Sequence, residues 1–220
     1  MQTRPKNLTL LNKILKMDIH TEAKQVIKNV IFDIGNVILY FNRDFLLSTY
    51  YQGEDYELIK EKLFYKWEEQ DEGLITSQEY IKNVLASLPQ KYHYVANTVL
   101  NYWEYSMRYT DGIISLIQEL KEKGYKLYIL SNMTDHFISR DYKFPILKEF
   151  DGIVYSAPIK MIKPNPKIFE YILSKYSLNP EECVFTDDTK PNLAAAARFG
   201  IKTFHFQNNT AQLRKFILSL

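Results

Sequence analysis

Apolar positions along the chain fall into two alternating kinds of run. Short continuous stretches end on a polar residue: "NVIFD" (29–33), "KLYILS" (126–131), "GIVYS" (152–156) and "CVFTD" (183–187), with "KTFHF" (202–206) as a further one. Apolar, β-branched and aromatic runs of this length predict strands covered on both faces, as in a parallel sheet. Between them the apolar residues recur at helical spacing. "DGIISLIQELKEKG" (111–124) places Ile113, Ile114, Ile117 and Leu120 on one face, with Asp111 as the expected N-cap and Gly124 as the stop. "NPKIFEYILSKY" opens with Asn165 before Pro166, a residue suited to a first helical turn. "PNLAAAARFG" (191–200) is alanine-rich, so it can lie close to a sheet, and it stops at Gly200. Strand alternating with helix predicts an α/β fold, a Rossmann-like doubly wound parallel sheet.

Residues 44–109 break this alternation with helical patterns and no convincing strand. "TSQEYIKNVLASL" starts with Thr76 and has Glu79 three residues on, a capping box, followed by a stripe of Ile81, Val84, Leu85 and Leu88. "VANTVLNYWEY" continues with Val95, Val99, Leu100 and Trp103, and "GEDYELIKEKLFYKWEEQ" reads as a solvated helix with an apolar stripe. The predicted organisation is an N-terminal extension (1–27), a core domain (28–43 and 110–220) and an inserted helical cap (44–109). In the extension, "LTLLNKILKM" is amphipathic, interrupted by Lys13 and Lys16, and too short to span a bilayer; Met17 is a candidate internal start.

The bulk numbers narrow the function. The 220 residues are 46% hydrophobic and 25% charged, the profile of a globular protein. A net charge of +2, with scattered lysines, gives no basis for a nucleic-acid partner, and no segment calls for a membrane. The single cysteine, Cys183, rules out an internal disulfide and a Cys-based zinc site; within an apolar strand it reads as a buried structural thiol, and the expected location is the cytoplasm.

Ligands of open parallel sheets bind beyond the carboxyl ends of the strands. The residues there are, in order, Asp33; Ser131 and Asn132; the Ser156 to Lys163-Pro164 segment; and Asp187-Asp188. One acid at a strand end is commonly a turn residue. Carboxylates, a hydroxyl, an amide and a lysine at successive strand ends point instead to a site.

"IFDIGNVIL", "YILSN", "SAPIKMIKPNPKIF" and "VFTDDTKPNLAAAARFGI" resemble, in order and spacing, the motifs of the haloacid dehalogenase superfamily, mostly magnesium-dependent phosphohydrolases. "FDIGNV" resembles most a group containing glucose-1-phosphate phosphatases. The resemblance implies Asp33 as nucleophile and Mg²⁺ as cofactor, held by Asp33, the backbone carbonyl of Gly35 and Asp188. Asp187 would hold a lysine or a metal-bound water from behind. Ser131, Asn132 and Lys163 would bind the transferring phosphoryl group of a small-molecule phosphomonoester, with Lys163 also stabilising the transition state. Lys160, where relatives carry glycine, is the competing lysine.

One departure stands out. Most phosphatases of the family that the chain resembles carry a general acid two residues after the nucleophile, worth roughly 10²–10⁴ in rate. Gly35 occupies that position, and Asn36 beside it can donate a hydrogen bond but cannot take a proton. A phosphatase with a good leaving group such as an anomeric sugar phosphate, a 2-haloacid dehalogenase, and a non-catalytic binding or regulatory protein all accommodate the change. The twin acids 187–188 count against the dehalogenase, and retention of Asp33, Ser131, Lys163 and Asp188 against the binding protein. Glu68 and His93 are the cap residues considered as substitute acids; nothing in the sequence places either near Asp33.

Overall fold

The computed structural model describes residues 26–220, so the amphipathic segment and Met17 lie outside the described residues. From β1 (Asn29–Phe32) the chain passes β2 (Leu39–Tyr40) into α1 (Arg43–Tyr50), α2 (Tyr56–Phe64), α3 (Glu68–Asp71), α4 (Ser77–Ser87) and α5 (His93–Tyr102), and returns by β3 (Arg108–Tyr109). There follow α6 (Ile113–Glu122), β4 (Lys126–Ser131), α7 (Asp135–Ile138), β5 (Gly152–Tyr155), α8 (Ser156–Ile159) and α9 (Pro166–Lys175). The remaining elements are β6 (Cys183–Asp187), α10 (Lys190–Ala197), β7 (Lys202–His205) and α11 (Thr210–Leu218).

Five strands make a parallel sheet in the order β5-β4-β1-β6-β7. β1 is central, flanked by β4 and β6, so the connections diverge there and leave a crevice at its carboxyl end. Alternation across the strands divides the apolar residues between two cores. Val30, Phe32, Leu127, Ile129 and Val184 meet α6 and α11 on one face. Ile31, Tyr128, Leu130, Cys183 and Phe185 meet α9 and α10 on the other. The continuous apolar runs thus reflect a sheet covered on both sides. Cys183 is buried, and burial pushes its thiol up to about 11, as suits a structural residue.

Two details of α6 differ from expectation. Its N-cap position is Gly112, in the left-handed region with φ 75°, and Asp111 makes no cap. The buried stripe includes Leu116, while Ile114 is exposed, because the helix starts later than Asp111 and faces the sheet with 113, 116, 117 and 120. Asn165 caps α9 as expected, accepting from the Lys167 N–H.

The insert is helical from α1 to α5, with β2 and β3 pairing antiparallel as a two-chain neck. The capping box of α4 forms through Thr76 and Glu79. The stretch read as one solvated helix is broken: Lys66 takes a left-handed conformation (φ 55°), and α2 and α3 lie on either side of it. Leu46, Leu63, Trp67, Val84, Val99 and Trp103 join the same apolar cluster as the sheet's α6 face. Polar contacts fix the cap on the core. The Ser77 N–H and hydroxyl donate to Asp135, and the Ser156 hydroxyl donates to the Asp71 carbonyl. Gly73 (φ 71°) packs so closely that an added Cβ would lie 2.2 Å from the Ala157 carbonyl oxygen.

Candidate active site

Asp33 is the first residue beyond β1, and its N–H is bonded to the Thr186 carbonyl at 3.0 Å. The adjacent strand ends bring Ser131 and Asp187 alongside it. The Ser131 hydroxyl donates to Asp33 Oδ1 at 2.6 Å. Lys163 arrives from the loop between α8 and α9, and Asn132 fixes its backbone. The Lys163 N–H donates to Asn132 Oδ1 at 2.8 Å, and Asn132 Nδ2 donates to the Lys163 carbonyl at 3.0 Å. Lys163 is 3% exposed, and its ammonium lies 2.8 Å from Asp33 Oδ1 and 2.7 Å from Asp187 Oδ2. Asn132 therefore positions the lysine through its main chain, a role separate from the phosphate contact expected of it.

Asp187 is fully buried and occupied: Thr189 N–H donates to one oxygen at 2.7 Å, and Asn192 Nδ2 lies 3.1 Å from both. Asp188 is half-buried, accepting from Asn36 Nδ2 and the Thr189 hydroxyl, each at 3.1 Å. Carboxylate oxygens of Asp33, Asp187 and Asp188 all lie within 4.8 Å of one another. Hard oxygen donors at such spacing suit Mg²⁺. Lys163, Asn192 and Thr189 engage Asp187, Lys163 and Ser131 engage Asp33, and Asn36 and Thr189 engage Asp188.

Burial and neighbouring charges act together on Asp33 and Lys163. Burial pushes Asp33 up to about 6; Lys163 opposes this and Asp187 adds to it. Burial disfavours the Lys163 ammonium, but Asp33 and Asp187 outweigh it and hold its pKa above the ordinary lysine value. Three carboxylates facing one ammonium leave an excess of negative charge that a divalent cation would offset.

Gly35 and Asn36 have distinct consequences. A Cβ at Gly35 would meet only Asp33 Oδ2, at 4.0 Å, an ordinary van der Waals contact. Asn36 takes φ 54°, donates to Asp188, and accepts from the Phe41 N–H at 3.0 Å, tying the start of the neck to the twin-acid turn. Lys160 is exposed in the left-handed region (φ 52°), a conformation that favours glycine. It lines a groove with Thr76 and Asp135, apart from the Asp33 cluster.

Beside the cluster, core and cap enclose a cavity of about 450 Å³ whose wall includes Gly35, Asn132, Arg43, Trp67, Asp71 and Trp103. Neither cap residue considered as a substitute acid lines it. His93 Nε2 is 2.9 Å from the Leu88 carbonyl oxygen, and Glu68 is exposed. Asp71 and Arg43 do line it, and the sequence reading missed both. Asp71 belongs to "EEQDEG", which is indistinguishable from a solvated acidic run until the cap is docked. Burial pushes the Asp71 carboxyl up to about 7; Arg43 opposes the rise, Asp33 adds to it, and a hydrogen bond from the Trp67 side chain opposes it.

The chain can be compared with known proteins. It is 27% identical over 199 residues to D-ribitol-5-phosphate phosphatase of Bacteroides thetaiotaomicron, spanning 83% of this chain and 93% of that protein. It is 38% identical over 88 residues to mouse acyl-CoA dehydrogenase family member 10, a match covering 40% of this chain but 8% of that protein. A haloacid dehalogenase family enzyme from Bacteroides thetaiotaomicron, solved with magnesium and inorganic phosphate, superposes with a TM-score of 0.69. That match covers 85% of this chain and 98% of the other at 24% identity, and it shows the fold. A family model for haloacid dehalogenase-like hydrolases matches residues 30–206, from the first core strand past the last. The chain belongs to the haloacid dehalogenase-like hydrolase family.

Proposed function

We propose that the protein is a Mg²⁺-dependent phosphomonoesterase that forms an aspartyl-phosphate on Asp33 and acts on a small phosphorylated metabolite such as a sugar or polyol phosphate. The observation that carries this is the Lys163 ammonium bridging Asp33 and Asp187, with Asp188 in the same acidic cluster. A carboxylate attacking a phosphate dianion brings two anions together, so it needs fixed positive charge. Lys163 supplies one such charge at the nucleophile. Asp33, Asp188 and the Gly35 carbonyl would hold Mg²⁺, which when bound neutralises further charge and orients the phosphoryl oxygens.

In the first step an Asp33 oxygen bonds to phosphorus as the bond to the leaving oxygen breaks. Ser131, already bonded to Asp33, is within reach of a phosphoryl oxygen carried on that carboxylate. Asn132 keeps the ammonium in register through the Lys163 main chain. Water then releases phosphate from Asp33. The cavity, with an arginine, an acid and two tryptophans in its wall, has the mixed lining that a polyhydroxy phosphate would use. The similarity to a D-ribitol-5-phosphate phosphatase supports the same substrate class.

The test is phosphate release from a panel containing glucose 1-phosphate, ribitol 5-phosphate and p-nitrophenyl phosphate, with Mg²⁺ or with EDTA, beside a 2-haloacid. The expected result is release that requires Mg²⁺ and disappears in Asp33→Asn. Metal-independent halide release would make the protein a dehalogenase. Release of neither product would leave a binding role.

A further inference from the structure

The phosphatase reading leaves one reaction component unassigned: a group that protonates the leaving oxygen. Position 35 cannot supply it, and the hydrogen-bonding of Asn36 is spent on Asp188 and Phe41. Two acids outside the Asp33–Asp187–Asp188 cluster line the cavity, Asp44 and Asp71. Asp44 is exposed and ion-paired with Lys60, and a hydrogen bond from that lysine holds its carboxyl below the usual range, so it is no proton donor. Asp71 is different. It ends α3 and is fixed to the catalytic side of the core rather than merely carried on the cap.

The attachment is specific. The Ser156 hydroxyl, at the end of β5, donates to the Asp71 carbonyl and accepts from the Met133 N–H at 2.9 Å. Met133 follows Asn132, the residue that fixes Lys163. Two residues after Asp71, Gly73 packs against the Ala157 backbone at a separation that excludes a side chain. These contacts hold the α3 end in register with the strand ends, and Asp71 shares the cavity wall with Gly35 and Asn132.

We propose that Asp71 is the general acid–base of this enzyme, delivered from the cap in place of the acid missing at position 35. The proposal rests on the phosphatase reading. As the bond from Asp33 to phosphorus forms, the bond to the leaving oxygen breaks and its electron pair stays on that oxygen. The oxygen takes the proton from the Asp71 carboxyl and departs as an alcohol. The Asp71 carboxylate then takes a proton from water as the water oxygen bonds to phosphorus. The Asp33–phosphorus bond breaks, its electron pair returns to Asp33, and phosphate leaves with Asp71 reprotonated. A carboxyl held near neutrality by burial is suited to both steps.

The experiment compares an alkyl phosphate, whose leaving group needs protonation, with p-nitrophenyl phosphate, whose leaving group does not. Asp71→Asn should lower kcat/KM, which reports phosphoenzyme formation, by about 10²-fold or more on the alkyl ester and by less than about tenfold on the aryl ester. It should lower kcat on both, because water activation is common to them. Gly35→Asp added to Asp71→Asn should recover the alkyl-ester rate, since it restores a carboxyl at position 35, where an added Cβ meets only Asp33 Oδ2, at 4.0 Å. Ser156→Ala is a second variant, which loosens the attachment but keeps the carboxyl; it should depress the alkyl ester more than the aryl ester. Equal losses of kcat/KM on both esters, or no loss on either, would overturn the assignment of Asp71. An unsubstituted protein that releases phosphate from neither ester would instead overturn the phosphatase reading.

Discussion

Glu104 offers a signed prediction about how the cap is held. It is 2% exposed in the turn after α5, with Oε2 2.9 Å from His136 Nε2 and Oε1 2.8 Å from Lys143 Nζ and 3.2 Å from Arg140 Nε. All three partners belong to the core segment that follows Asn132 and Met133. Burial by itself would push the Glu104 carboxyl up, but hydrogen bonds from His136 and Lys143 outweigh it and bring it from 4.5 down to about 2. That displacement corresponds to roughly 3 kcal/mol. Arg140 and Lys143 keep 34% and 23% of their side chains exposed. Screening by water reduces the stabilisation to about 1–2 kcal/mol.

The perturbation is Glu104→Gln, which keeps the shape and removes the charge. A depressed native pKa stabilises the fold above the unfolded value of 4.5, and the contribution fades as pH falls from there toward about 2. The variant should therefore melt about 2–8 °C below the parent at pH 7. The gap should shrink progressively below pH 5, approaching zero near pH 2. Urea midpoints at pH 7, 5 and 3.5 measure the same difference without heating and without the screening that an ionic denaturant adds. A gap that is absent at pH 7, or as large at pH 3.5 as at pH 7, would refute the electrostatic account.

Two further substitutions probe the core of the site and the docking of the cap. Lys163→Met leaves Asp187 buried without its ammonium; loss of one partner of a buried pair costs about 3–5 kcal/mol. The melting temperature in EDTA should fall by roughly 10 °C, and phosphate release should be lost; an unchanged melting temperature would contradict the ion-pair geometry. Gly73→Ala and Gly124→Ala both place alanine at positive φ, but only at Gly73 does the new Cβ meet backbone, whereas nothing lies within 4 Å of it at Gly124. The conformational penalty common to both is about 1–2 kcal/mol. Gly73→Ala should cost more than that and also slow phosphate release, and equal melting shifts for the two variants would show that the contact with Ala157 does not tighten the cap.

What the sequence reveals here depends on how local the determining physics is. Strand and helix periods are local, and the sheet with its strand-end residues was legible for that reason. A strand buried on both faces has to be apolar throughout, so Asp33, Ser131 and Asp187 stand out as the polar residues that end such runs. The choice between Lys163 and Lys160 needed only the motif, and the structure brings Lys163 to both acids while leaving Lys160 exposed. Asp111 misled because an acid ahead of an apolar stripe suits an N-cap, whereas Gly112 made the turn through a left-handed conformation.

Asp71 is a different kind of case. It is 38 residues from Asp33, and no period, cap or turn links the two. Their proximity is produced by the neck pairing of β2 with β3, the Ser156 hydrogen bond and the clearance at Gly73, three contacts between distant segments. The exposed appearance of "EEQDEG" is correct for Glu68 and incorrect for Asp71, because the docked cap turns one side of the same short helix toward solvent and the other toward the cavity. A catalytic group contributed by the insert is therefore illegible in the sequence for the same reason that it is useful. Its position depends on how cap and core meet, so substitutions in the docking contacts can tune proton transfer without altering the strand ends that hold the phosphoryl group.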